Sequence, residues 1–196
     1  MKIGTDSVLL GAWTSLEKRP FSILDIGAGT GILSLMLSQR SNAQLIDAIE
    51  IDGNAYEQCV DNFEQSPWGD RLFCYHASLE EFVEEIEDKY DLIQDAMPFE
   101  HLLKSVSKLL SDAGLFSVII PFKEEKRFIN LASDYNLFPN KILHVKGRIT
   151  SKIKRSLIAF SSNKNNILVS ELIIEIERHQ YTQDYINLTK DFYLKM

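Results

Sequence analysis

The residues best equipped for chemistry are Asp25, Gly27, Gly29, Gly31 and Glu50. They belong to the stretch Ser22-Ile23-Leu24-Asp25-Ile26-Gly27-Ala28-Gly29-Thr30-Gly31-Ile32-Leu33 and to the run Leu45-Ile46-Asp47-Ala48-Ile49-Glu50 that follows it. A branched apolar run breaks into three alternating glycines and then turns helical, which reads as strand, tight loop and helix. That order makes a nucleotide-binding turn. Glycine admits positive φ and lets a ligand approach the main chain, while the unpaired N–H groups of the helix start face into the loop. The dinucleotide fingerprint is G-x-G-x-x-G, whereas here the glycines alternate and an acid, Asp25, stands two residues before the first. The second strand ends on Glu50, where a ribose would present its two hydroxyls, and Ile51 beside it completes the cofactor-binding candidates of this strand end.

Other chemistries find no support in the sequence. His76, His101, His144 and His179 are scattered, and no Ser-His-Asp, metal-ligand or P-loop pattern is present. Cys59 falls on the apolar face of an expected helix and Cys74 in a strand, so both read as reduced core residues. With 45% hydrophobic and 25% charged residues, the 196-residue chain has the composition of one soluble globular domain, residues 1–196. No apolar run approaches the ~20 residues that span a bilayer, and Met-Lys-Ile-Gly-Thr-Asp at the start has no signal-peptide core, so a cytoplasmic location is expected. A net charge of −7 argues against nonspecific coating of nucleic acid. A nucleic-acid substrate would need a local basic patch.

The elements that position these residues follow from periodicity. Val8, Leu9, Ala12, Trp13 and Leu16 predict an amphipathic helix capped by Thr5 or Asp6. Asp52 caps a helix bearing Ala55, Tyr56, Cys59, Val60 and Phe63, and 66–70 make a turn. Strands are expected at 72–75, 90–93 and 115–120, the last after a turn at Asp112-Ala113-Gly114, with helices around Phe82, over 98–110 and over 123–136. Ser78, at the exit of the third strand, is a candidate for the adenine edge of a cofactor or a helix cap. This alternation specifies a doubly wound, mainly parallel α/β sheet. Two strands without a long helix between them, 141–146 and 155–160, predict an antiparallel end, followed by a strand over 171–177 and a closing helix through Tyr185, Leu188 and Phe192. The 141–160 connection carries Lys146, Arg148, Lys152, Lys154 and Arg155, read either as a solvated loop or as phosphate contacts.

Asp-x-Gly-x-Gly-x-Gly with a downstream acid resembles the S-adenosylmethionine site of class I methyltransferases. Four stretches resemble one family within them, the bacterial tRNA1(Val) adenine-37 N6-methyltransferases: the opening from Lys2 to Trp13, the loop from Leu24 to Gly31, the run from Ile46 to Glu50, and Tyr181 to Met196 with Asp191-Phe192-Tyr193. The opening is the most discriminating, because unrelated methyltransferases share the glycine loop. The resemblance implies a Rossmann-like, seven-stranded sheet with an antiparallel C-terminal strand. It also implies methyl transfer from S-adenosyl-L-methionine to the exocyclic amine of the adenosine 3′ of the anticodon. Asp25, Gly27, Gly29 and Gly31 match the loop around the cofactor's methionine end and ribose, Glu50 its ribose-binding acid, and Thr5 and Asp6 the segment that closes over the pocket. Alternatives are another class I acceptor (rRNA guanine, protein glutamine or a small molecule) and a non-catalytic cofactor-binding module.

The sequence departs from the family at two points. Ser78 stands where an aspartate is usual. More consequentially, the fourth strand should run into Asn-Pro-Pro-Tyr or Asn-Pro-Pro-Phe, which holds the adenine amine and stacks on the flipped base. Here Tyr90-Asp91-Leu92-Ile93 is followed directly by Gln94-Asp95-Ala96-Met97-Pro98-Phe99, whose acid and aromatic are wrongly spaced to substitute, so no catalytic residue is assigned. The expectation is that the acceptor loop belongs between Ile93 and Gln94, which would then not be neighbours, and that Met1 is internal.

Overall fold

The apolar runs become strands β1 (Ser22–Ile26), β2 (Leu45–Glu50), β3 (Leu72–His76), β4 (Tyr90–Asp95), β5 (Leu110–Pro121), β6 (Phe138–Arg148), β7 (Ile153–Ser161), β8 (Leu168–Glu177) and β9 (Gln180–Tyr181). In the computed structural model, which describes residues 4–95 and 100–194, they form one sheet in the order β3-β2-β1-β4-β5-β7-β6-β8-β9. The first seven positions are the doubly wound unit expected. β7 enters antiparallel between β5 and β6, which brings the β6–β7 turn to the same end as the carboxyl termini of the parallel strands. The tail adds two strands beyond the seven: β8 pairs parallel with β6, and β9 folds back antiparallel on β8.

Helices cover both faces, as burial of a central sheet requires. Helices α1 (Thr5–Trp13), α2 (Ile32–Arg40), α3 (Gly53–Glu64) and α7 (Gln183–Thr189) cover one face through Leu9, Leu10, Leu33, Leu37, Phe63 and Tyr185. On the other, α4 (Leu79–Glu85), α5 (Glu100–Leu109) and α6 (Glu125–Asp134) bring Phe82, Leu103, Val106 and Phe128 against Leu24, Ile93 and Phe116. None of the described helices is long and apolar enough to cross a membrane. α1 crosses α2 at Gly11, where an added Cβ would lie 2.9 Å from the Met36 sulfur. Arg40 of α2 then donates to the carbonyls of Gly11 and Thr14, fixing the far end of α1.

Local differences from the sequence reading have physical causes. The α1 cap is Gly4, with no side-chain bond, because the helix already includes Thr5 and Asp6. The turn expected at Asp112-Ala113-Gly114 lies inside β5 as a bulge: Tyr90 and Leu92 of β4 face Leu110 and Leu115, so three residues of β4 span six of β5. Asp52 caps α3 as expected, its carboxylate accepting from the Ala55 N–H at 2.9 Å. Cys59 and Cys74 are free thiols.

Ile93 and Gln94 are consecutive residues of β4, pairing with Leu24 and Asp25 on one side and Phe116 and Ser117 on the other. Gln94 is a poor fit for the middle of a sheet. Its side chain is fully buried; the amide nitrogen donates to the Thr14 hydroxyl, but Oε1 has no partner, and neither does the hydroxyl of Ser117 opposite. An orphaned buried acceptor costs about 1–3 kcal/mol. Gln94→Met keeps the length of the side chain and removes the amide. It should raise the urea midpoint by the equivalent of about 1 kcal/mol at unchanged m-value.

Candidate active site

β1 delivers the glycine loop and β2 pins it. The N–H groups of Gly27 and Ala28 donate to the Ile49 carbonyl at 2.9 and 3.0 Å, and Gly29 N–H donates to Glu50 Oε2 at 2.7 Å. All three glycines have positive φ. At Gly31 there is no room for a side chain either: a Cβ would lie 2.5 Å from the Phe63 ring and 2.8 Å from Cys59 Sγ. The loop therefore presents bare backbone.

Asp25 sits beneath it, buried to 1% exposure. Its Oδ2 accepts from the hydroxyl of Ser34 at 2.7 Å and from the Ser34 N–H at 3.2 Å, so Asp25 caps α2 from inside the sheet, which Gly31 cannot do. Burial pushes the Asp25 carboxyl up to about 7; the Ser34 bonds oppose this, and the charge of Glu50 adds to it. Glu50 Oε1 accepts from Asp52 N–H at 2.9 Å, so both its oxygens hold backbone donors while each keeps a free lone pair. The Cys59 thiol beside the loop is held well above its ordinary range by its bond with Cys74 and by burial, which leaves it inert as a nucleophile.

Next to Glu50 opens a cavity of about 370 Å³, lined mainly by Ile26, Ile49, Ile51, Ala77, Leu79 and Leu102. Ile51 is 70% exposed, an apolar side chain held at the rim by the strand end. His76 braces it, its Nε2 3.1 Å from the Ile51 carbonyl and its ring stacked on Tyr56. An apolar slot beside a carboxylate and a glycine loop fits a nucleoside: base in the slot, ribose at the acid, cationic remainder along the loop. Of the two roles open to Ser78, the structure gives it the helix cap. Its hydroxyl accepts from Glu81 N–H at 3.2 Å in a capping box on α4, and the residue also borders the slot.

Thr5 and Asp6 open α1, and neither borders that cavity. Asp6 Oδ2 instead accepts from Arg155 Nε at 2.8 Å. Of the other cations in the β6–β7 connection, Lys146 pairs with Glu171 at 2.7 Å and Arg148 with Glu175 at 3.5 Å. Lys152 and Lys154 are exposed. The side chains of His101 and Leu102, from α5, also line the slot. Sequence reading missed them because nothing in their spacing distinguishes a pocket-facing turn of α5 from its solvent face. Ala96-Met97-Pro98-Phe99 lies outside the described residues, and β4 is described up to Asp95.

Residues 23–114 match the family model described as a methyltransferase domain. Among solved structures, the fold superposes on a predicted O-methyltransferase of Agrobacterium tumefaciens with a TM-score of 0.80 at 17% identity, covering 95% of this chain and 96% of that one. Two curated relatives bear the same name, tRNA1(Val) (adenine(37)-N6)-methyltransferase. That of Flavobacterium johnsoniae is 57% identical, over all of this chain and 94% of its own length, and that of Bacteroides fragilis 40%, over all of this chain and 92% of its own. Both alignments run over 220 positions against the 196 residues here, so each relative carries about two dozen residues that this chain lacks. With identity at this level along its whole length, on a class I methyltransferase fold, the chain belongs to the tRNA1(Val) (adenine(37)-N6)-methyltransferase family.

Proposed function

We propose that this chain, as one cytoplasmic domain, transfers a methyl group from S-adenosylmethionine to the N6 amine of adenine 37 in a valine tRNA. The observation that carries the reading is the slot beside Glu50 and the glycine loop, in a chain 57% identical to a relative of that name. S-adenosylmethionine, when bound, supplies a methyl already activated on a sulfonium, so the protein needs alignment rather than a nucleophile of its own. Ile51 and Leu102 enclose the base, Ser78 stands at its edge, and the free lone pairs of Glu50 accept the ribose hydroxyls. Glu50 places a carboxylate beside the loop, and a cationic ligand bound there favours ionisation of Asp25 beneath it. The exposed Lys152 and Lys154, at the same end of the sheet, supply phosphate contacts to the tRNA.

The acceptor-holding segment is the part this chain does not show. We assign the two dozen extra residues of the relatives to the junction of Ile93 and Gln94. The junction lies two residues short of the carboxyl end of a central strand, the end at which open α/β sheets hold their ligands, and the unpartnered Oε1 of Gln94 supports it. Inserting the Flavobacterium segment there should raise labelled methyl transfer into bulk tRNA at least about 100-fold, the scale of a misplaced acceptor, at unchanged affinity for S-adenosylhomocysteine. Equal rates with and without it would put the acceptor contacts within the 196 residues.

Asp25 gives a pH signature without ligand. Its folded-state value of about 7 lies above the ordinary 3.8, so its contribution to stability is fully present below about pH 4 and is lost as pH rises towards 7 and just beyond. Compared with Asp25→Asn, the wild type should therefore lose stability across that interval and run parallel to the variant above it. Urea unfolding at stepped pH measures the difference. For the basic turn, Lys152→Gln with Lys154→Gln should leave S-adenosylhomocysteine affinity intact. It should also reduce the log–log salt slope of tRNA binding by roughly 0.7–0.9 per lost contact.

A further inference from the structure

Asp6 and Arg155 each have a role suggested by the sequence, cofactor closure for one and phosphate contact for the other, and the structure joins the two residues to each other. Arg155 Nε donates to Asp6 Oδ2 at 2.8 Å, and Arg155 Nη1 donates to the carbonyl of its neighbour Lys154 at 3.3 Å. Both side chains are about 40% exposed, unlike the open Lys152 and Lys154. Arg155 is the third residue of the antiparallel strand β7, at the end of the sheet where the parallel strands have their carboxyl termini, opposite Pro121 of β5 and Val145 of β6.

Asp6 is in the first turn of α1, and that turn is tethered unequally. The far end of α1 is held by Arg40 through the carbonyls of Gly11 and Thr14 and by the close crossing at Gly11. Near its start, Val8 packs in a small cluster with Met36 and Ile32, the first residue after the glycine loop. Gly4 caps the helix without a side chain. The ion pair thus ties the start of α1, packed against the loop on one side, to β7 on the other.

We infer that Asp6 and Arg155 form a positioning clasp that holds the first turn of α1 beside the glycine loop, so that Arg155 acts on cofactor binding rather than on RNA phosphate. This rests on the proposed cofactor reading. An ion pair of this exposure is worth up to about fivefold in an equilibrium. Asp6→Asn and Arg155→Gln, both conservative and on the surface, should each weaken S-adenosylhomocysteine binding about two- to fivefold by calorimetry. The double variant should be no weaker than either single one, and the exchanged pair Asp6→Arg with Arg155→Asp should recover most of the loss. Arg155→Gln should leave the salt slope of tRNA binding unchanged and raise the KM for S-adenosylmethionine rather than that for tRNA.

Three results overturn the clasp. A much larger loss in Asp6→Asn than in Arg155→Gln, with no recovery on exchange, makes Asp6 a direct ligand. A lower salt slope in Arg155→Gln at full cofactor affinity makes Arg155 a phosphate contact. Unchanged affinity in both variants makes the pair incidental. Glu50→Ala separates this from failure of the cofactor reading: if Glu50→Ala binds weakly while the clasp variants bind normally, only the clasp fails, whereas a wild type that does not bind S-adenosylhomocysteine removes the reading itself.

Discussion

The end of β2 gripping the loop that leaves β1 is the interaction on which the rest of this structure depends. Ile49 offers one carbonyl to two loop N–H groups, and Glu50 offers one carboxylate oxygen to Gly29 and the other to Asp52. A bond from N–H to a charged acceptor contributes about 1.5–3 kcal/mol, more than an ordinary backbone bond. These contacts close a turn that three positive-φ glycines make possible, and they fix where two helices begin. α2 starts at Ile32 because the loop ends at Gly31, and α3 starts at Gly53 because Asp52 is held to cap it. The side of the slot made by Ile26, Gly27, Ile49 and Ile51 is therefore set by the same few bonds that hold the loop to the end of β2.

The electrostatics of the site follow from burial. Burial first, and the charge of Glu50 on the adjacent parallel strand after it, raise the cost of ionising Asp25, and no cation among the described residues is paired with it. Asp25 is satisfied by Ser34 alone, a neutral partner. The buried acid at the base of the loop is thus held by neutral groups, within a chain whose net charge is −7. At the rim the balance reverses: three of the five cations of the β6–β7 connection are matched with Glu171, Glu175 and Asp6, and Lys152 and Lys154 are exposed without an ion pair among the described residues.

Most of the fold was legible in the sequence because strand and helix periods are local. The strand–loop–helix at 22–40 and the caps at Asp52 and Ser78 were fixed by residues within a few positions of one another. Where two elements compete for the same residues, the sequence was silent. It could not tell that Leu110 to Gly114 would join β5 as a bulge against Tyr90, or that the tail strand would run parallel to β6. The residues gathered at the candidate site divide in the same way. Gly27, Gly29, Gly31, Asp25 and Glu50 were readable from spacing, and Ile51 by adjacency. The α5 wall was not, since a helix 50 residues downstream of Glu50 reaches the slot only through tertiary packing. The Asp6–Arg155 pair, 149 residues apart, was beyond any local pattern.

β4 lies at the centre of the sheet, held by β1 on one side and β5 on the other. Register on both sides is set as far as Ile93 by main-chain bonds and by the buried side chains of Leu92 and Ile93, ahead of the junction at which the longer relatives are assigned their extra residues. Lengthening a connection of about five residues by two dozen costs about 1.5 kcal/mol of closure entropy, because that cost grows only with the logarithm of length. The scaffold is consequently indifferent to the size of what it carries there. The strands, both helical layers and the slot can therefore stay as they are while the length of the segment carried there varies, at a cost that grows only with the logarithm of that length.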